Sequence, residues 1–128
     1  MKYILAVLTL SLSAFAQCSL PVPGSVAVCV SWAAVTANIN GGTITGVTYN
    51  LYRATTAGGE SFTTPLNPTP LTTTFYSDTT VLTTTPVTTY YYKIIAVAGG
   101  IQSAPSSEVS AQVPVPPSTP LSPSANPI

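Results

Sequence analysis

The sequence contains no histidine and very little charge, with three Lys or Arg and three Asp or Glu among 128 residues. Without imidazole, the commonest general base near neutral pH and the commonest non-thiolate ligand for transition metals are both missing. The carboxylates Glu60, Asp78 and Glu108 are scattered: a Gly-rich turn, a strand end and a strand start. Nothing in their spacing brings two of them together as a glycosidase pair, which needs carboxyl groups about 5–10 Å apart. Nor do they cluster as a calcium site requires. Cys29 has no base to activate it as a nucleophile. The pairs Gly41-Gly42, Gly58-Gly59 and Gly99-Gly100 precede neither a lysine nor a helix, so they are hairpin turns and not phosphate loops. The expectation is a chain that is not an enzyme, with no catalytic residue, no cofactor and no metal. The absence of a basic patch also argues against nucleic acid and anionic membranes as partners.

Long apolar runs are missing as well. Ile4 to Leu12 is too short for a membrane span, which needs about 20 residues. With Lys2 before it and Ala14-Phe15-Ala16 after it, residues 1–16 read as a secretory signal peptide cut after Ala16. A lipoprotein cut before Cys18 is the alternative, disfavoured by Gln17 in front of that cysteine. Export to the cell exterior or cell surface is therefore expected. Two cysteines agree with it, because an exported pair defaults to a disulfide. A hairpin centred on Pro23-Gly24 sets Cys18 opposite Cys29, within the Cα range that a disulfide spans. Two free thiols are the alternative.

What the chain has is threonine, roughly one residue in six, together with tyrosine, valine and 13 prolines. Turn residues alternate with β-branched runs and no helical periodicity is sustained, the pattern of an all-β sandwich or barrel. Strands are expected over Ser25–Trp32, Ile44–Arg53, Ser61–Asn67, Thr72–Asp78 and Thr89–Val97, then over the EVSAQV run. Pro65, Pro68 and Pro70 confine the third to a sheet edge. From Pro114 the chain reads PVPPSTPLSPSANPI, a density of proline that favours an extended polyproline tail over a packed strand. The division expected is 1–16 signal peptide, 17–113 sandwich and 114–128 tail.

Four stretches then resemble a fibronectin type III domain of the kind common in bacterial secreted proteins. SVAVCVSW is similar to its B strand, with Trp32 at the core centre. ITGVTYNLYR is similar to its C strand, with Val47-Thr48 extra. TFYSDTTV is similar to its E strand, and TTYYYKIIAVAGGIQSAPSSEVSAQVP to its F and G strands. The resemblance runs from about Ser25 to Pro114. It implies an immunoglobulin-like β-sandwich of about seven antiparallel strands, in sheets A-B-E and C-C′-F-G. Two departures stand out: the first strand is broken by proline, and Val81 to Tyr90 exceeds the spacing of the family's tyrosine corner.

Alternation assigns the faces independently. Val28, Val30, Trp32, Tyr49, Leu51, Tyr90, Tyr92, Ile94 and Ala96 form the inward set, continued by Val109, Ala111 and Val113. The stretch Thr89–Val97 is unusual because its second face is also mostly apolar. Tyr91, Lys93, Ile95 and Val97, with Tyr52 on the neighbouring strand, are expected as an exposed outer patch. Three readings follow. The patch binds a protein or carbohydrate at the cell exterior; it packs on another copy of the chain in a structural spacer; or it only stabilises the sheet by cross-strand pairing.

Overall fold

The structure, a computed structural model, describes residues 18, 26–113, 115 and 124–125. The signal peptide expected at 1–16, the turn expected at Pro23-Gly24 and most of residues 114–128, where an extended tail is expected, lie outside the described residues. Six strands lie among the described residues: β1 (Val28–Ser31), β2 (Thr48–Ala54), β3 (Phe75–Asp78), β4 (Thr89–Ala98), β5 (Ile101–Gln102) and β6 (Val109–Gln112). β1 pairs antiparallel with β3 in one sheet; in the other, β4 lies between β2 on one side and β5 and β6 on the other. No described residue is helical. Cys18 and Cys29 are joined by a disulfide with Cα atoms 5.8 Å apart.

Strand limits differ from the expectation where the backbone cannot stay extended. Gly46 has φ 65°, a left-handed geometry that favours glycine, so β2 begins at Thr48 and not at Ile44. Residues 61–67 form no strand, yet the following chain returns along the free edge of β2. Leu66 N–H donates to Leu51 C=O, and Tyr49 and Leu71 exchange backbone hydrogen bonds. Between those contacts, Asn67 uses its side chain as a strand would use its backbone. Its Oδ1 accepts from Leu51 N–H at 2.7 Å, and its Nδ2 donates to Thr69 C=O at 2.8 Å.

A similar substitution operates on the opposite edge of β4. Pro105 has no N–H to give, and the chain between β5 and β6 leaves regular pairing. Ser103 and Ser106 compensate. Ser103 N–H donates to Ala96 C=O while its Oγ accepts from Ala96 N–H; Ser106 does the same with Ile94. Gly99 and Gly100, at φ 56° and 78°, make the two-residue turn between β4 and β5, where both central residues need positive φ.

The core lies between the sheets and matches the inward set. Leu51, Tyr92, Ile94 and Ala96 are 0% exposed, and Trp32 meets Tyr49 edge-on at 5.4 Å between ring centroids. Tyr49 Oη accepts from Val35 N–H at 2.8 Å. Despite the long link before it, Tyr90 Oη accepts from Leu82 N–H at 2.9 Å, the role of the tyrosine corner.

One end of the core is closed by charge. Arg53 shares the inward parity of Tyr49 and Leu51, and its guanidinium lies 5.0 Å from the centroid of the Tyr90 ring. Its Nη1 donates to Asp78 Oδ2 at 2.7 Å, and Tyr92 Oη donates to the same oxygen at 2.9 Å. Asp78 Oδ1 accepts from the Thr80 amide and hydroxyl. A carboxylate from β3 is thus ligated by groups from β2 and β4, joining the two sheets. Burial opposes ionisation of Asp78, but the bonds from Thr80, Arg53 and Tyr92 outweigh it and hold its carboxyl below the ordinary range. Burial, then the Asp78 charge, pushes the Tyr92 phenol far above its ordinary value.

Two outcomes are expected. Because the Asp78 pKa is lower folded than unfolded, its stabilisation is present above about pH 4 and lost as pH falls through the folded value. Thermal melts between pH 7 and pH 2 should therefore show an acid-induced fall that is smaller in Asp78→Asn, whose stability at pH 7 is already reduced. Equal acid sensitivity in both proteins contradicts the assignment. Ser106→Ala leaves the buried Ile94 N–H without an acceptor and should cost about 1–3 kcal/mol. In urea unfolding this lowers the midpoint at unchanged slope.

Candidate functional site

The outer face of β2, β4 and β6 carries the residues singled out in the sequence, and the strand register fixes their neighbours. Tyr52 stands opposite Lys93, Asn50 opposite Ile95, Thr48 opposite Val97 and Ala54 opposite Tyr91; Ser110 flanks Tyr91 on the other side. The parity expectation is correct in that Tyr90, Tyr92, Ile94 and Ala96 join the core while Tyr91, Lys93, Ile95 and Val97 do not share its side.

The expectation of an open patch is not met. Tyr52 is 3% and Ile95 4% exposed, while Tyr91, Lys93 and Val97 are half-buried. Tyr52 and Tyr91 are diagonal and not directly opposite each other. The cause at Tyr52 is the segment that follows β2. After Gly58, which has φ 69°, the chain folds back, and Phe62 packs edge-on against Tyr52 at 5.1 Å between centroids. Phe62 itself remains 41% exposed. It is the aromatic that the face presents to solvent together with the half-buried Tyr91. The available signal was a lone phenylalanine in a Gly, Ser and Thr stretch, which edge-strand pairing had absorbed.

The same fold-back brings together charges that are distant in sequence. Lys93 Nζ lies 3.5 Å from Glu60 Oε2 and 4.0 Å from Glu108 Oε2. Glu108 Oε2 also accepts from Gly58 N–H at 2.7 Å, fastening the loop. Two carboxylates therefore converge, contrary to the sequence expectation. They do not form a hydrolytic pair, because the Glu60 side chain is 0% exposed and out of reach of a substrate. Among the described residues no three His, Cys, Asp or Glu side chains stand together as metal ligands.

A concavity of about 520 Å³ follows the loop after β1 and is lined by Ala33, Ala34, Val35, Thr36, Ala37 and Ile39, among others. It is lined by no titratable side chain; its polar side chains are those of Thr36 and Asn38, and the rest are aliphatic or glycine.

No protein-family model matches the sequence, and no curated protein matches it. Among solved structures, it is similar to a Fn3-like protein from Clostridium thermocellum. The two share 27% identity at a TM-score of 0.50, over 86% of this chain and 88% of that one. The likeness agrees with the antiparallel sheets of the structure: the chain carries a fibronectin type III-like domain, a fold of binding and structural modules.

Proposed function

We propose that the protein is an exported, non-catalytic binding module that makes weak or multivalent contact with a protein or carbohydrate outside the cell. The observation that carries this reading is Phe62, an aromatic held out to solvent by Tyr52 beneath it. Tyr91 and Val97 on β4 extend the surface. Buried Tyr52 and Ile95 serve as its support and not as its contact atoms. Such a platform favours stacking on a sugar ring or an apolar side chain. So few open aromatics cannot by themselves overcome association costs of about 4–15 kcal/mol, so the affinity of one copy is low and clustering supplies avidity.

A structural spacer that packs on its own kind is the second reading. It is favoured by how little of the face stays open and by the exposed Leu82 and Val87 at the opposite end of β4 from its Gly-Gly turn.

The two separate experimentally. Protein displayed as a tetramer is passed over immobilised cell-surface polysaccharides and extracellular proteins. Binding predicts retention on at least one of them, lost in Phe62→Ala/Tyr91→Ala with the melting temperature shifted by no more than a few degrees. No retention of the tetramer, with light scattering that rises with concentration and is reversed by Leu82→Lys/Val87→Lys, decides for the spacer.

A further inference from the structure

We propose that Lys93 and Glu60 condense into an internal amide cross-link, with Glu108 carrying the proton. Three observations point to it. The Glu60 side chain is wholly buried, yet neither of its oxygens has a hydrogen-bond partner. Lys93, its side chain about three-quarters buried, holds its Nζ 3.5 Å from that carboxylate, beyond the 2.7–2.9 Å of a charge-assisted hydrogen bond. Glu108 lies 4.0 Å from the same nitrogen and is held there by the Gly58 amide.

Asp78 shows how this protein satisfies a buried carboxylate that is to remain one. Both its oxygens are bonded, its arginine sits at 2.7 Å, and a tyrosine and a threonine complete the set. Glu60 has none of this. A desolvated, poorly bonded ion pair is a high-energy arrangement, and neutralising it removes the burden. The fold holds amine and carboxyl in contact, which turns a slow condensation between molecules into a step within one. Effective molarities in well-oriented pairs reach about 10⁵–10⁸ M.

The step balances without any co-reactant. One ammonium proton of Lys93 moves to the Glu60 carboxylate, and the neutral amine attacks Glu60 Cδ. Glu108 takes a second proton from the nitrogen and delivers it to the departing hydroxyl. A C–N bond forms, a C–OH bond breaks and one water leaves; nothing is oxidised or reduced. The cross-link ties β4 to the segment after β2, the one that carries Phe62.

Trypsin reads the outcome directly, since it cuts after Arg53 in either case but after Lys93 only when the lysine amine is free. The full exported chain, unfolded after purification, should give fragment 54–128 uncut at Lys93 and lighter than its sequence by one water, with fragmentation mapping the bridge to Lys93 and Glu60. Lys93→Arg should restore the cut and the full mass. Glu108→Gln, folded by circular dichroism, should carry a linked fraction reduced at least tenfold at early times. Fragments 54–93 and 94–128 at full mass, from protein that is folded with its disulfide intact, overturn the proposal. A Glu108→Gln protein that links as fast as the parent removes Glu108 from the step.

Discussion

β4 has no wet face. Ten residues long, it places Tyr90, Tyr92, Ile94 and Ala96 on one side and Tyr91, Lys93, Ile95 and Val97 on the other. A strand of that composition must be covered twice. The inner cover is the β1–β3 sheet, with Trp32, Val28 and Val30 packed on the tyrosines and isoleucine of β4. The outer cover is local: the chain leaves β2, turns at Gly58 and lays Glu60 and Phe62 over the sheet before running back along its edge. The second cover decides what a partner can meet. It withdraws Tyr52 and puts Phe62 in its place.

With so few charges, side-chain hydroxyls and amides manage the sheet edges. Prolines near the β2 and β4 edges would leave main-chain groups without partners, a costly outcome where they are buried. Asn67, Ser103 and Ser106 supply those partners from side chains, and each is itself nearly inaccessible. Among the described residues, charged side chains gather in two places. Arg53 and Asp78 lock the sheets at one end of the core. Lys93, Glu60 and Glu108 fasten the outer cover. The difference in how completely these two buried carboxylates are satisfied separates a static bond from a reactive arrangement.

Period-two alternation made the core legible. Each residue assigned inward on β4 and β2 is inward, and the spacing between Cys18 and Cys29 matched a pairing that the structure contains. Arg53 was equally legible, since it shares parity with Tyr49 and Leu51, and its inward position follows from the same rule. The burial of Tyr52 and Ile95 was not. Alternation reports which side of a strand a residue occupies, but not whether another segment covers that side. Coverage depends on the path of residues 55–71, where prolines exclude a ladder and Asn67 replaces one. The meeting of Glu60 with Lys93 and Glu108 is a contact between distant segments with no local period to betray it. The Tyr90 hydroxyl found its amide across an unusually long link because the acceptor geometry requires only that Leu82 come near, not a fixed count of residues.

The most direct test of a doubly covered β4 is nitration of tyrosine rings in the native protein, mapped by peptide mass. The account predicts that Tyr91 reacts while Tyr52 and Tyr92 stay protected, and that removing the Phe62 ring opens Tyr52 but not Tyr92. Nitration of Tyr52 at the rate of Tyr91 in the unaltered protein would show that the outer face is bare, and the account would be wrong.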